Sequence, residues 1–251
     1  MYMATGTRPD LAFPVGYLSR FVENPTVQHG GALKRVLRYL VATTDHGIFF
    51  KKPKASSLSK VNAIKIEGFC DSDWGDCPET RKSVTGYAML VAGGPVAWAA
   101  RRQTVVAQST AEAEYVASCE ACMEGRALAN VLTEVLPKTR IDFTLGVDNQ
   151  AAITLASNPT YSRKTRHIEL RFHYVREQVT RKAVSIWKVD GDVNPADLLT
   201  KPLGYPRLTK MKQLIGMHPE AELTPREKQR KLYHDEKQRG KQQKSEYAGA
   251  E

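Results

Sequence analysis

Four acidic residues stand where predicted elements of the chain begin or end. The stretch EGFCDSDWGDC, residues 67–77, puts Asp71 directly after a strand-like run, and Glu114 falls in the first turns of a long predicted helix. Asp148 stands where GVDNQ changes from strand to helix, and Asp197 opens the predicted helix of NPADLLTK. Carboxylates on rigid element ends can converge on a hard cation such as Mg²⁺, and two such ions about 4 Å apart can clamp the attacking and leaving oxygens of a phosphodiester. The pattern therefore favours metal-dependent phosphodiester chemistry.

Each of these acids also has a structural interpretation. Aspartates such as Asp148 and Asp197 are favourable at helix N-termini, where they face the positive end of the helix dipole. Glu112 has capping-box spacing from Ser109 and is an alternative to Glu114 as the important glutamate. Spacing alone leaves these alternatives open.

The elements that would position the acids follow an α/β order. Three strands joined by short turns are predicted in AIKIEGFC, SVTGYAMLVAGG and PVAWAARRQTVVAQ, which indicates an antiparallel meander. A long helix is predicted in STAEAEYVASCEACMEGRALANVLTEVL and a fourth strand in IDFTLGVD. Two helices, a fifth strand in AVSIWKV and a helix start in NPADLLTKPL complete the order.

The flanking segments differ in character from this region. Residues 1–52 are predicted to be helical, because RPDLAFPVGYLSRFV and ALKRVLRYLVATT space their apolar residues as a helix does, and a short strand follows in HGIFFKK. Residues 53–63 are small and polar, which is typical of a linker. Residues 218–251 contain few large apolar side chains and are predicted to be a mostly disordered charged tail.

Composition restricts the class of protein. The 251 residues have a formal net charge of +10 and a pI near 9.4, and basic surfaces most often bind nucleic acid or anionic membranes. We find no apolar run of about 18 residues and no charged start followed by an apolar stretch, so neither a spanning helix nor a secretory signal is expected. The four cysteines suggest no disulfide framework. CEAC, at residues 119–122, lies on an apolar helix stripe and is interpreted as core.

Several motifs together resemble one known family. The resemblance is to the ribonuclease H region of copia-type retrotransposon polyproteins, over roughly residues 64–217. It rests on GFCDSDWGDCPETRKSVTGYAMLVAGGPVAWAARRQTVVAQSTAEAEYVA, VDNQAAI, KTRHIELRFHYVREQV and NPADLLTK. The first 52 residues are similar to the segment that links reverse transcriptase to ribonuclease H in these polyproteins, and we expect them to be the C-terminal remnant of the reverse transcriptase.

The resemblance implies a fold, an activity and a ligand set. The fold is α/β, a ribonuclease H-like mixed five-stranded sheet whose first three strands are antiparallel, with helices on both faces and a small helical segment in front. The activity is hydrolysis of the RNA strand of RNA–DNA hybrids with two Mg²⁺ ions, Mn²⁺ being an alternative. The family's catalytic and metal-binding acids fall on Asp71, Glu114, Asp148 and Asp197, with Asp73 as the second choice for the first position.

Polar and basic residues close to the acids are predicted to bind the substrate. Those expected to contact sugar hydroxyls are Ser109, Thr110, Asn149 and Gln150. Those expected to hold phosphates are Arg101, Arg102, Lys164 and Arg166. The partners implied are an RNA–DNA hybrid and the upstream reverse transcriptase portion of the polyprotein, without a membrane.

Two departures from the family bear on function. The polymerase motif Y-x-D-D is absent from the sequence, so polymerisation is not supported. No histidine occurs between Arg181 and Asp197, where many cellular ribonucleases H have one. A catalytically silent relic that only binds nucleic acid is therefore an alternative, whereas a DDE-type integrase is disfavoured because the helix with Glu114 follows the third strand. We expect an intracellular protein of cytoplasmic retroelement particles, not a secreted one.

Overall fold

A five-stranded mixed sheet forms the centre of the protein. The computed structural model describes residues 1–52, 63–77, 79–157 and 169–220. The strands of the sheet are β2 (Ala63–Ser72), β3 (Val84–Val91), β4 (Gly94–Arg102), β5 (Arg140–Val147) and β6 (Ser185–Lys188). Their order is β4-β3-β2-β5-β6, in which β2, β3 and β4 are antiparallel and β5 and β6 run parallel to β2.

Helices cover both faces of this sheet. The helices of this part of the chain are α4 (Thr110–Val135), α5 (Gln150–Ser157), α6 (Glu169–Thr180), two 3-10 helices (Gly191–Val193 and Pro195–Leu199) and α7 (Tyr205–Leu214). The first face of the sheet packs against α4, α5 and α6. The second face packs against α7 and the 3-10 helix of Pro195–Leu199, which is called the 3-10 helix below. The predicted fold class is confirmed, although the NPADLLTK segment forms a 3-10 helix where an α-helix start was expected.

Side-chain alternation along β3 explains why the sheet needs two covers. Tyr87 and Met89 are buried against the α4 side, whereas Ala88 and Leu90 are buried against the 3-10 helix and α7. Successive residues of a strand point to opposite faces, so a strand that is buried at successive positions must be covered on both faces. β3 is therefore a central strand of the core.

The N-terminal helical segment packs on the second face. It contains α1 (Tyr2–Gly6), α2 (Ala12–Leu18), α3 (Val27–Ala42), two 3-10 turns (Pro9–Leu11 and Ser19–Phe21) and strand β1 (His46–Ile48). The Trp98 indole of β4 donates a hydrogen bond to the carbonyl of Ala4 at 2.8 Å. The helical character predicted for this segment is confirmed.

A buried polar network joins the N-terminal segment to α7. Arg8 forms a bidentate pair with Asp10 at 2.8 and 2.9 Å, and the Tyr39 hydroxyl donates to Asp10 at 2.6 Å. The Lys212 ammonium of α7 lies 3.1 Å from the Tyr39 hydroxyl and 2.8 Å from His46 Nδ1. Because unpaired buried charges are costly, these contacts tie the two parts of the chain together.

A second connection links the two ends of the described chain. Strand β1 pairs antiparallel with β7 (Met217–Pro219), in the register His46 opposite Pro219. The predicted boundary between residues 217 and 218 thus falls inside a strand, because the backbone there pairs with β1. The proposed linker lies outside the described residues except for Ala63, which begins β2, and residues 221–251 of the predicted tail lie outside them as well.

Candidate functional site

Three aspartates meet at one end of the central strands. Strand β2 pairs with β5 in parallel, with Cys70 opposite Val147, so the residues that follow each of them, Asp71 and Asp148, are neighbours. Asp197 comes from the 3-10 helix packed over the same strand end. One oxygen from each of the three carboxylates lies within 4.8 Å of the others. Asp71 and Asp197 are each only 1% exposed.

The segment containing Asp197 is fixed to the sheet by an asparagine and a glycine. The Asn194 amide donates to the carbonyl of Cys70 at 2.9 Å, and its oxygen accepts from the backbone N–H of Ala196 at 3.2 Å. A Cβ at Gly86 of β3 would stand 2.6 Å from Thr200 Cγ2, so only glycine allows this close approach. The segment that contains Asp197 is therefore held against β2 before this residue, by Asn194, and against β3 after it, at Thr200.

Glu114 reaches the site from α4. Its Oε1 accepts a hydrogen bond from the backbone N–H of Ser72 at 3.3 Å, while its Oε2 is buried and accepts none from the described residues. Glu112 has a different role, because its carboxylate accepts from the backbone N–H of Gln108 at 2.9 Å where the helix starts. Of the two glutamates, Glu114 is the one directed at the end of β2.

Burial raises the pKa values of Glu114, Asp71 and Asp148. Desolvation, followed by the charges of Asp71 and Asp148, raises the pKa of Glu114 to about 9. Desolvation also raises the pKa of Asp71 to about 7, although Lys201 and Thr200 oppose it. The pKa of Asp148 is raised, again mainly by desolvation. Positive charge close to these three acids would favour their ionised forms.

Two cationic side chains that the sequence analysis did not identify contact the aspartates. The Lys201 ammonium lies 2.7 Å from Asp197 Oδ1 and 3.1 Å from Asp71 Oδ2. Arg207 of α7 pairs with Asp197 Oδ2 and donates to the carbonyl of Gly191 at 2.9 Å. Burial lowers the pKa of Lys201, but its two aspartate partners outweigh burial and raise it. The only signal in the sequence is that Lys201 follows Asp197 by four residues.

The residues present suit a hard divalent cation. All donors in the cluster are carboxylate oxygens, the ligand type that Mg²⁺ and Mn²⁺ prefer. Glu114 Oε2, buried and without a hydrogen bond from the described residues, is an acceptor that a cation would satisfy. Asp73 lies outside this cluster, since its Oδ1 accepts from the backbone N–H of Val84 and holds the end of β2 to β3.

The predicted substrate-binding residues divide into four groups. Ser109 caps α4 by accepting from Glu112 N at 3.3 Å, and Asn149 caps α5 by accepting from Ala151 N at 2.9 Å. Thr110 and Gln150 are exposed beside them. Arg101 and Arg102 are exposed at the end of β4, where they pair with the start of β3. Lys164 and Arg166 lie outside the described residues.

Two relatives of the chain are Pol polyproteins of plant transposons. The chain is 37% identical to the Retrovirus-related Pol polyprotein from transposon TNT 1-94 of Nicotiana tabacum over 218 residues, which are 87% of the chain and 16% of that protein. It is 34% identical to the Retrovirus-related Pol polyprotein from transposon RE2 of Arabidopsis thaliana over 211 residues, 84% of the chain and 14% of that protein. The chain thus spans about a sixth of the length of these curated relatives. No family model matches the chain.

Among solved structures, the chain is similar to LC11-RNase H1, isolated from compost. The TM-score is 0.42 with 13% sequence identity, over 54% of the chain and 92% of that protein. The fold assignment is therefore based on the strand order of the sheet. In the described part of the chain no helix combines the length and the apolar character needed to cross a membrane.

Proposed function

We propose a nuclease function from one premise: the chain belongs to the Pol polyproteins of copia-type retrotransposons and contains their ribonuclease H-like region, with the five-stranded sheet in the expected order. The proposed reaction is hydrolysis of the RNA strand of RNA–DNA hybrids. The observation that carries the proposal is the convergence of Asp71, Asp148 and Asp197 at the end of the central strand, with Glu114 beside them.

In this proposal the four acids hold two divalent cations. Two Mg²⁺ ions, when bound, supply Lewis-acid chemistry that lowers the pKa of an attacking water and stabilises the leaving 3′ oxygen. Asp71 would be the central ligand, because it lies at the end of β2, the middle strand of the sheet. Glu114 brings a carboxylate from the opposite side, on a helix whose start is fixed by Ser109.

Basic side chains around the acids fit an anionic substrate. Arg101 lies opposite Thr85 and Asp71 lies opposite Gly86, so this arginine is two strands from the acids at the same end of the sheet. We propose that Arg101 and Arg102 contact phosphates, which would make hybrid affinity depend on salt. The proposed contacts of Ser109, Thr110, Asn149 and Gln150 with sugar hydroxyls remain proposals, as do the phosphate contacts of Lys164 and Arg166.

The decisive experiment is a cleavage assay on the purified chain. A hybrid with labelled RNA is compared with the same RNA alone, in Mg²⁺ and in EDTA. We expect cleavage of the hybrid only with metal, and a loss of at least about 100-fold in rate for Asp71→Asn, because a lost metal ligand removes several kcal/mol of transition-state stabilisation. The matched control is Asp142→Asn, an acid paired with Arg140 on the same sheet with a 39% exposed side chain. Wild-type rates in the Asp71 variant would refute the assignment.

The second candidate is a silent relic that binds nucleic acid without cutting it. The observation that favours it is the pairing of Lys201 and Arg207 with the aspartates, which neutralises the site internally. A chain of this kind would bind the hybrid in a salt-dependent manner but show no metal-dependent cleavage and no metal binding. Titration with Mn²⁺ and the cleavage assay together separate the two functions.

A further inference from the structure

We propose that Lys201 is an internal cation that neutralises Asp71 and Asp197 in the metal-free chain and must leave these oxygens before a divalent cation can bind. This inference rests on the proposed function, because it concerns the same carboxylates. It makes Lys201 a positioning residue, which sets how tightly the site holds metal and how stable the site is without it.

The Lys201 ammonium contacts both oxygens of Asp71, so a metal ion bound by either oxygen would meet this ammonium. The ammonium lies 2.7 Å from Asp197 Oδ1, and 3.2 and 3.1 Å from the two oxygens of Asp71. Both aspartates belong to the cluster whose oxygens lie within 4.8 Å of one another. A cation that binds both carboxylates must therefore compete with the ammonium for lone pairs and, as a like charge, repel it.

The neighbouring cation has a different position. Arg207 contacts the other oxygen of Asp197, Oδ2, and also the carbonyl of Gly191, whereas its contacts among the described residues do not include Asp71. Lys201 alone among these two reaches both Asp71 and Asp197. The exchange with metal is therefore assigned to Lys201, while Arg207 can keep its contacts.

The structure provides a route for Lys201 to leave. Its side chain is 40% exposed, whereas those of Asp71 and Asp197 are 1% exposed. Lys201 also borders a cleft of about 280 Å³ between the N-terminal segment and the 3-10 helix, whose lining includes Leu11, Phe13 and Leu203. The flexible stem of a lysine can lie along such an apolar wall while its ammonium stays in water.

The test measures metal affinity directly, apart from activity. Mn²⁺ is titrated calorimetrically into metal-free wild-type protein, Lys201→Met, and Lys210→Met, the last as the control because Lys210 is an exposed residue of α7. We expect Lys201→Met to bind Mn²⁺ at least about tenfold more tightly, since a competing like charge is removed, and the control to match the wild type. In EDTA, Lys201→Met should unfold at a lower temperature, and Mn²⁺ should raise its Tm by more than it raises that of the wild type.

A second variant, Lys201→Gln, keeps the experiment interpretable if Lys201→Met fails to fold. Lys201→Gln keeps a hydrogen-bond donor for the aspartates but lacks the charge, and it should also bind Mn²⁺ more tightly than wild type. Equal or weaker affinity in the folded variants, with normal binding by the wild type, would overturn this inference and leave the proposed nuclease intact. Absence of Mn²⁺ binding by the wild type would overturn the proposed metal site, and this inference with it.

Discussion

Replacing Glu114 by glutamine should stabilise the metal-free protein while it abolishes cleavage. Glu114 is 7% exposed, and its Oε2 accepts no hydrogen bond from the described residues. Burial and the charges of Asp71 and Asp148 raise its pKa from 4.5 to about 9. Glutamine has nearly the same shape as the protonated acid but cannot ionise, so it avoids the cost of holding a carboxylate there.

The direction and size of the effect follow from linkage. Below the unfolded pKa the acid is protonated in both states, and its ionisation contributes nothing. As the pH rises above it, the unfolded chain releases the proton first, so the folded chain loses about 1.4 kcal/mol of stability per pH unit until its own pKa is reached. Between the pKa of 4.5 and pH 7 this amounts to about 3 kcal/mol for Glu114.

The assay is thermal unfolding in EDTA at several pH values. For a protein of this size, 3 kcal/mol corresponds to a Tm rise of roughly 6 to 12 °C near neutral pH, and the rise should shrink toward zero near the unfolded pKa. The control is Glu134→Gln on the exposed side of α4, which should leave Tm unchanged. A Glu114→Gln protein whose Tm in EDTA equals or falls below that of the wild type near neutral pH would refute the reasoning.

Three further substitutions test the packing of two glycines and one buried ion pair. Gly125→Ala on α4 places a Cβ 2.1 Å from Phe143 Cζ and should destabilise the fold by roughly 2 kcal/mol or more in urea titrations, whereas Gly30→Ala on α3, with no atom within 4 Å of the new Cβ, should stabilise it by about 1 kcal/mol. Arg8→Met leaves Asp10 buried with the Tyr39 hydroxyl but without its cationic partner, and should cost about 3–5 kcal/mol. The same denaturation curve measures this cost, and an unchanged midpoint would contradict the role given to the pair.

Parts of the site could be predicted from the sequence because they lie where elements end. Asp71 lies at the end of β2 and Asp148 directly follows β5, and these two strands pair in parallel. The proximity of the two aspartates therefore depends on a strand register that the apolar pattern favours. Glu114 was distinguished from Glu112 by the family resemblance, and the structure gives the reason, because Glu112 is engaged at the helix start. The assignment of these residues to catalysis remains a prediction.

The rest depends on contacts between distant parts of the chain. Lys201 meets Asp71 across 130 residues, and Asn194 meets the Cys70 carbonyl across 124. No local period or cap records such contacts, since each side chain is also a plausible surface residue in its own segment. The pairing of β1 with β7 was missed for the same reason, because three-residue strands have no pattern of their own.

The contacts between the two ends of the chain set an order in time. Tyr39 and Lys212 are 173 residues apart, and at common rates of synthesis of about 5–20 residues per second the N-terminal helices are made roughly 10 to 35 seconds before α7 and β7. During that interval β1 lacks its partner strand β7, and Tyr39 of α3 lacks its contact with Lys212. The N-terminal helices, although synthesised before α7 and β7, thus reach their final packing only after them, and a ribosome that stops before β7 leaves this packing incomplete.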